Sequence, residues 1–243
     1  MRDAFAHHTD GASVSAATIG RELVRADLKP HRIRYFLTSR DPNYDEKLRD
    51  IVGLYLRPPA GAAILSLDEK PTIQALERIH RELPMRPGDI AAREFEYRRH
   101  GVMHLFGAFN VRTGTMLGDV RDGKTHVEFI DLLEMCAWRY RQGEVHCVLD
   151  NASYHSTPEV KAWLADHPRF VFHYTPTHAS WLNQIECWFS ILNAKVLKRG
   201  DFASKDTLRW AILQYIAYWN SQAHPFNWAY GEELIHDEER IAA

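Results

Sequence analysis

The stretch Thr175–Lys195, TPTHASWLNQIECWFSILNAK, decides how the rest of the chain is read. Trp181, Leu182, Ile185, Trp188, Phe189 and Leu192 recur at helical spacing, and Glu186 stands among them. On a helix turning about 100° per residue, Glu186 lies about 40° from Leu182 and about 60° from Phe189. Asn183, Ser190 and Asn193 fall on its other side, which puts Glu186 on the seam between a buried stripe and a small polar strip. Ser180 is the expected cap of this helix. A carboxylate beside so much apolar surface needs a proton, a cationic partner or a metal ion.

Upstream, the sequence alternates short apolar runs with amphipathic helices. AAILSLDEK (62–70) reads as a strand that ends in charge at Asp68, with Ile64, Ser66 and Asp68 on one face. VMHLFGAFNV and TMLGDV, joined by Arg112-Thr113-Gly114, read as a hairpin. THVEFIDLLEMCAWRYRQG is an amphipathic helix with Phe129, Leu132, Leu133, Cys136 and Tyr140 on one stripe and Gly143 just past its end. EVHCVLDN is a second strand ending in acid, with Val145, Cys147 and Leu149 facing one way and His146, Val148 and Asp150 the other. TPEVKAWLADHP gives a short helix, RFVFHYTP a third buried strand, and a last helix capped by Ser204 carries Leu208, Ala211, Ile212, Tyr215, Ile216 and Trp219. Pro71–Arg99 shows no period and is expected to be an irregular insertion.

The N-terminal part is different in kind. VSAATIGRELVRADLKPHR predicts one short helix capped by Ser15, bearing Ile19, Leu23 and Val24, and stopped by Pro30. A basic linker, HRIRYFLTSRDPNYDEK, leads to a helix over Asp45–Leu56 that ends before Pro58-Pro59. The expected division is an N-terminal helical region over 1–57 and an α/β domain over 58–243.

This order of elements predicts a mixed sheet, antiparallel early and parallel βαβ later, flanked by helices. Sites in such sheets gather at the carboxyl ends of strands. Asp68 and Asp150 each sit at such an end, and in neighbouring strands they would face each other across roughly 4.8 Å. Three converging carboxylates raise one another's pKa unless a divalent ion neutralises them. Mg²⁺ or Mn²⁺ suits an all-oxygen set that leaves room for water and phosphate. Two ions about 3.5–4 Å apart would stabilise both the attacking and the leaving oxygen of a phosphoryl transfer.

The three acidic motifs, LDEK at Asp68, LDNASYH at Asp150 and the stretch around Glu186, resemble those of DDE transposases. They are most similar to the bacterial insertion-sequence family six-thirty, allied to mariner elements. Thirty-five residues lie between Asp150 and Glu186, a spacing that resembles the family's. The resemblance spans about Leu28–Trp228. It implies a ribonuclease H-like fold, use of Mg²⁺, and cutting and joining of double-stranded DNA at transposon ends and target. It further implies a dimer on DNA and insertion at TA dinucleotides. Asp68 would bridge two ions, with Asp150 and Glu186 each completing one coordination sphere. Asn151, His155, His178 and Asn183 would support these ligands or touch DNA, and Lys70, Lys195, Lys198 and Arg199 would hold phosphates. Such transposases carry helix-turn-helix modules ahead of the catalytic part. Here about the last helix of such a region, near Val14–Asp27, is expected, as in a truncated copy or catalytic fragment.

Composition narrows the alternatives. The chain has 243 residues, 45% hydrophobic, and a formal net charge of −2, so DNA contacts must come from local patches rather than a bulk positive field. No apolar run long enough to span a membrane and no signal-like N-terminus is present, which predicts a cytoplasmic protein. Cys136, Cys147 and Cys187 form no paired motif and are expected to be buried apolar groups. Fourteen histidines raise a zinc alternative, but no HExxH or paired-Cys spacing accompanies them. Two other readings compete: a remnant that only binds DNA or partners, and a ribonuclease H-like nuclease without strand transfer.

Overall fold

The computed structural model describes residues 41–80, 87, 88, 90 and 96–227, together with Ser15, Thr18, Arg21 and Arg25. The chain divides into two compact units, Met1–Thr38 and Ser39–Ala243. In the first, Thr18, Arg21 and Arg25 are helical and the Thr18 amide donates to Ser15 Oγ at 3.1 Å. The expected stripe of Ile19, Leu23 and Val24, the stop at Pro30, and residues 31–40 of the basic linker lie outside the described residues.

The second unit is built on a mixed sheet of five strands. They are β1 (Ala63–Arg78), β2 (Tyr97–Asn110), β3 (Met116–Arg121), β4 (Val145–Leu149) and β5 (Phe170–Tyr174), in the spatial order β3-β2-β1-β4-β5. β1 pairs antiparallel with β2, and β2 with β3, whereas β4 runs parallel to both β1 and β5. The early hairpin therefore continues into a parallel half, as the order of elements predicts. The hairpin turns at Gly114, whose φ of +72° suits glycine alone here, because a Cβ would fall 1.9 Å from the His224 carbonyl.

Helices cover both faces. They are α1 (Tyr44–Leu56), α2 (His126–Arg139), α3 (Pro158–Asp166), α4 (Ile185–Leu192) and α5 (Lys205–Ser221). On one face Ile51, Ile64, Phe109, Val148, Trp188, Leu192, Leu208 and Ile212 share a core, which α1, α4 and α5 close. On the other, Leu65, Leu67, Phe106, Cys147, Leu149, Phe129, Leu133, Val160 and Trp163 form a second core under α2 and α3. Alternation along β1 and β4 feeds the two cores in turn. Capping is local: a reciprocal Thr125–Glu128 box starts α2, Thr157 caps α3, and Ser204 caps α5. Each fully buried Leu, Ile or Phe contributes on the order of 1.5–3 kcal/mol, so these two faces hold the unit together.

The structure departs from sequence expectation in several places. Pro71–Arg99 is not an irregular insertion throughout, because β1 runs on to Arg78 and β2 begins at Tyr97. Register shifts between Lys70 and Ile73 and between Gln74 and Leu76, with Thr72 at φ +56°, break the two-residue period and hide the strand. β5 is an edge strand in which Phe170 alone is buried, not a buried one. Ser180 does not cap α4: it opens a separate 3-10 turn, Ser180–Leu182, and Gln184 occupies the N-cap without a side-chain bond. Trp181 is exposed, as is Cys187, while Cys136 and Cys147 are buried. After Leu192 the chain continues as a π turn, Asn193–Leu197. No helix among the described residues is long and apolar enough to cross a membrane.

Candidate active site

Three acids meet on one face at one rim of the sheet, and the register shows why. Ser66 of β1 is paired with Val148 of the parallel strand β4, so two residues further along each chain, Asp68 and Asp150 stand level. Ile64 and Val148, the same-face predecessors of these acids, both enter the core under α4. α4 packs on that face through Ile185, Trp188, Phe189 and Leu192, and Glu186 lies in its first turn. Gly107, opposite Asp68 on β2, lets the helix come this close, since a Cβ there would sit 2.9 Å from Ile185 Cδ1.

Each carboxyl is held differently. Asp68 is largely buried, its Oδ1 accepting from the Glu69 amide at 2.8 Å and its Oδ2 from Asn183 Nδ2 at 3.2 Å. Burial pushes its carboxyl up to about 8, and the charges of Glu69, Glu186 and Asp150 add to the effect. Glu186 is raised as well, first by desolvation and then by Glu69 and Asp150, while Lys70 opposes the shift. Asp150 goes the other way because His155 bonds to it. The buried His155 ring aims Nδ1 at Asp150 Oδ1 (3.2 Å) and at the Asp150 carbonyl (3.0 Å).

The puzzle of Glu186 takes a simpler form here. Glu186 is exposed as a residue although its carboxyl is partly desolvated, and Asn183 is buried rather than part of a polar strip. A carboxylate in the first turn of a helix meets the positive end of its dipole, which offsets part of the cost of holding it there. What is costly is the company of the other acids.

The supporting residues divide. His155 grips Asp150, Asn183 grips Asp68, and Asn151 Nδ2 donates to the Thr175 carbonyl at 2.7 Å. Asp150, Asn151, Thr175, Thr177, His178 and Ser180 line a groove of about 400 Å³ beside the acids, with exposed His178 at φ +65°. Lys70 acts on Glu186. Lys195, Lys198 and Arg199 are exposed on and just after the π turn, outside the immediate company of the acids. Sequence reasoning missed Ser66, Glu69, Lys124 and Tyr154. Glu69, buried on the opposite face of β1, takes both the Lys124 ammonium and the Tyr154 hydroxyl. Glu69, between Asp68 and Lys70, stands where the apolar run ends in charge, and nothing in the pattern marked it.

The donor chemistry fits a hard divalent cation: three carboxylates, one of which burial and the neighbouring acids make hold its proton more tightly. Among the described residues no group of three His, Cys, Asp or Glu is drawn in to ligand spacing. The acids are near enough for their charges to act on one another and stop short of a closed cage.

Known proteins were compared with this chain. An uncharacterised 39 kDa protein of insertion element IS630 from Shigella sonnei is 24% identical over 217 residues, covering 89% of this chain and 61% of that protein. The chain thus spans about 61% of the length of that curated relative. Among solved structures, the Mos1 mariner paired-end complex with Mn matches with a TM-score of 0.59 at 14% identity, over 88% of this chain and 70% of that one. The Mos1 paired-end complex with Mg gives 0.57 at 16% identity, over 89% and 70%. The shared fold is the ribonuclease H-like sheet of those catalytic domains. The signature of the DDE superfamily endonucleases matches residues 63–209, which takes in Asp68, Asp150 and Glu186, and the chain belongs to that family.

Proposed function

We propose that this chain is the catalytic part of a transposase that cuts double-stranded DNA at transposon ends and joins the freed 3′-hydroxyl to target DNA. What supports this reading is the parallel pairing of Ser66 on β1 with Val148 on β4, each two residues before an acid, Asp68 and Asp150, together with Glu186 in the first turn of α4 and the mutual effect of the three charges. In this reading Asp68, Asp150 and Glu186 would hold two Mg²⁺ or Mn²⁺ ions. Bound there, the ions would supply charge stabilisation to the attacking and leaving oxygens of the phosphodiester. The chain's own residues fix the geometry: Asn183 orients Asp68, His155 orients Asp150, and the helix N-terminus presents Glu186. Asn151 and His178 line the groove in which a DNA strand would lie, and Lys70 meets a phosphate beside Glu186. Lys195, Lys198 and Arg199 lie further out and would hold backbone phosphates without reading sequence.

Residues 1–57 are assigned to the helical N-terminal region and 58–243 to the catalytic domain, with α1 packed against the latter. We further propose action as a homodimer on paired ends in the cytoplasm. The Mos1 neighbours are paired-end complexes with Mn and Mg, which supports action on paired ends.

Incubating the full chain with supercoiled plasmid carrying the DNA that flanks its gene, in Mg²⁺ or Mn²⁺, tests the reading. Nicking is expected from the wild type and not from a folded Asp150→Asn variant. A pre-cut end with a free 3′-hydroxyl should then join to supercoiled target. Equal nicking by the two proteins removes the assignment of Asp150, and nicking without joining favours a nuclease.

A further inference from the structure

Ser66 was not among the residues the motifs single out, yet its hydroxyl joins the strand of Asp68 directly to the first amide of the helix of Glu186. It is fully buried on β1, two residues before Asp68 and on the same face. Its hydroxyl donates to Asn183 Oδ1 and accepts the Ile185 amide at 3.1 Å. Asn183, 1% exposed, spends its Nδ2 on the Leu67 carbonyl at 2.9 Å and on Asp68 Oδ2 at 3.2 Å. Its backbone carbonyl accepts the Glu186 amide at 3.1 Å.

These bonds close a circuit. The first amides of a helix have no partner within it, and α4 lacks a side-chain cap from Gln184. Ser66 provides one from the neighbouring strand for Ile185, and Asn183 provides the next for Glu186. The orientation of the Asn183 amide is fixed, because reversal would set its oxygen against both the Leu67 carbonyl and the Asp68 carboxylate. A shift of α4 along the sheet therefore strains the same bonds that hold Asp68.

We infer that Ser66 is a positioning residue that sets the separation of Asp68 and Glu186, acting through Asn183 and through the Ile185 amide. The inference deepens the proposed function and rests on it for its consequence at the metal, but the clip itself is a property of the metal-free chain.

Two measurements on the full chain test it, each on protein shown to be folded. Without metal, amide exchange at Ile185 and Glu186 should speed up tenfold or more in Ser66→Ala, relative to Leu133 of α2, which lies in the other core. With Mn²⁺ as the probe, Ser66→Ala should bind about 10- to 100-fold more weakly, the range typical when a group that orients a ligand is removed. Ser66→Thr, which keeps the hydroxyl, should recover most of the affinity. Val160→Ala, a deletion in the other core, should leave it unchanged. Should Ser66→Ala not fold, Ser66→Cys, similar in volume and a weaker hydrogen bonder, replaces it. Unaltered exchange at Ile185 and Glu186 overturns the clip. Faster exchange with unaltered Mn²⁺ affinity, or an equal loss in Val160→Ala, reduces Ser66 to a structural part and overturns the positioning role. If the wild type itself binds no Mn²⁺ that Asp150→Asn removes, the proposed function fails instead, and exchange alone judges the clip.

Discussion

Replacing Asp68 with asparagine should stabilise the metal-free protein, and increasingly so as pH rises. The carboxyl sits at about 8 rather than near 3.8, chiefly because it is buried and then because Glu69, Glu186 and Asp150 surround it. A tenfold change in proton affinity is worth about 1.4 kcal/mol. The sign follows from which state binds the proton. Above about pH 4 the unfolded chain has released it while the folded chain keeps it, so the contribution is whole below the unfolded value and is lost as pH climbs toward 8. Between pH 5 and pH 8 this slope takes away about 3–4 kcal/mol in principle; with some relaxation of the site, about 3 kcal/mol is a reasonable expectation. Asparagine has no proton to lose and no slope. It does forfeit one bond, because its amide cannot accept from both the Glu69 amide and Asn183 Nδ2, at about 1 kcal/mol. That penalty is nearly constant with pH and cancels in the comparison. Urea melts of both proteins in chelator at pH 5 and pH 8 give the answer: the gap in unfolding free energy should move by about 3 kcal/mol in favour of Asp68→Asn. Mn²⁺ at about 100 times its dissociation constant should then restore about 2.7 kcal/mol to the wild type at pH 8 and little to the variant. Parallel pH profiles would refute the claim that these acids crowd one another.

Further consequences can be checked with the same tools. His155→Ala removes the bond that most depresses Asp150; a depressed acid stabilises above its ordinary value and ceases to as pH falls, so the variant should be about 1 kcal/mol weaker at pH 6. That gap should narrow by pH 3, and a constant gap would mean that His155 merely fills space. Asp50→Ala cuts the bond to His173 Nδ1 (2.6 Å) in a chain that continues to His146 at 2.9 Å. It should loosen α1 on the sheet by about 1 kcal/mol, visible as faster amide exchange in α1 and contradicted by unchanged exchange there. Gly107→Ala drives a methyl to 2.3 Å from Met116 Cε and 2.9 Å from Ile185 Cδ1. A cost of about 1–3 kcal/mol is expected in a thermal or urea melt, and a neutral result would show that α4 has slack.

How far the sequence could carry these conclusions depended on whether a signal was local. Strands β1 and β4 were readable because apolar alternation runs straight into Asp68 and Asp150, and α2 because Thr125, Glu128 and its stripe agree with one another. The second half of β1 was not, since Pro71, a left-handed Thr72 and two register shifts replace plain alternation with a bulged ribbon. β5 reads as apolar through Phe170–Tyr174, but burial is decided by neighbours, and nothing in five residues tells an edge from a centre.

The helix of Glu186 shows the same limit in chemical terms. Periodicity located its buried stripe through Ile185, Trp188, Phe189 and Leu192 but put the cap at Ser180 instead of Gln184, about one turn early. That error extended the wheel over Asn183 and put it on a polar strip. With the start at Ile185, Asn183 precedes the helix and is free to turn inward, where Ser66 donates to its amide oxygen and Asp68 accepts from its amide nitrogen. The sequence could name the acids because their motifs are contiguous. It could not name what aims them, because Ser66 and Ile185 are far apart along the chain and meet through a helix start that no cap residue announces. An acid triad is thus written locally in the sequence, whereas its separation is a tertiary quantity, and catalytic competence rests on the second.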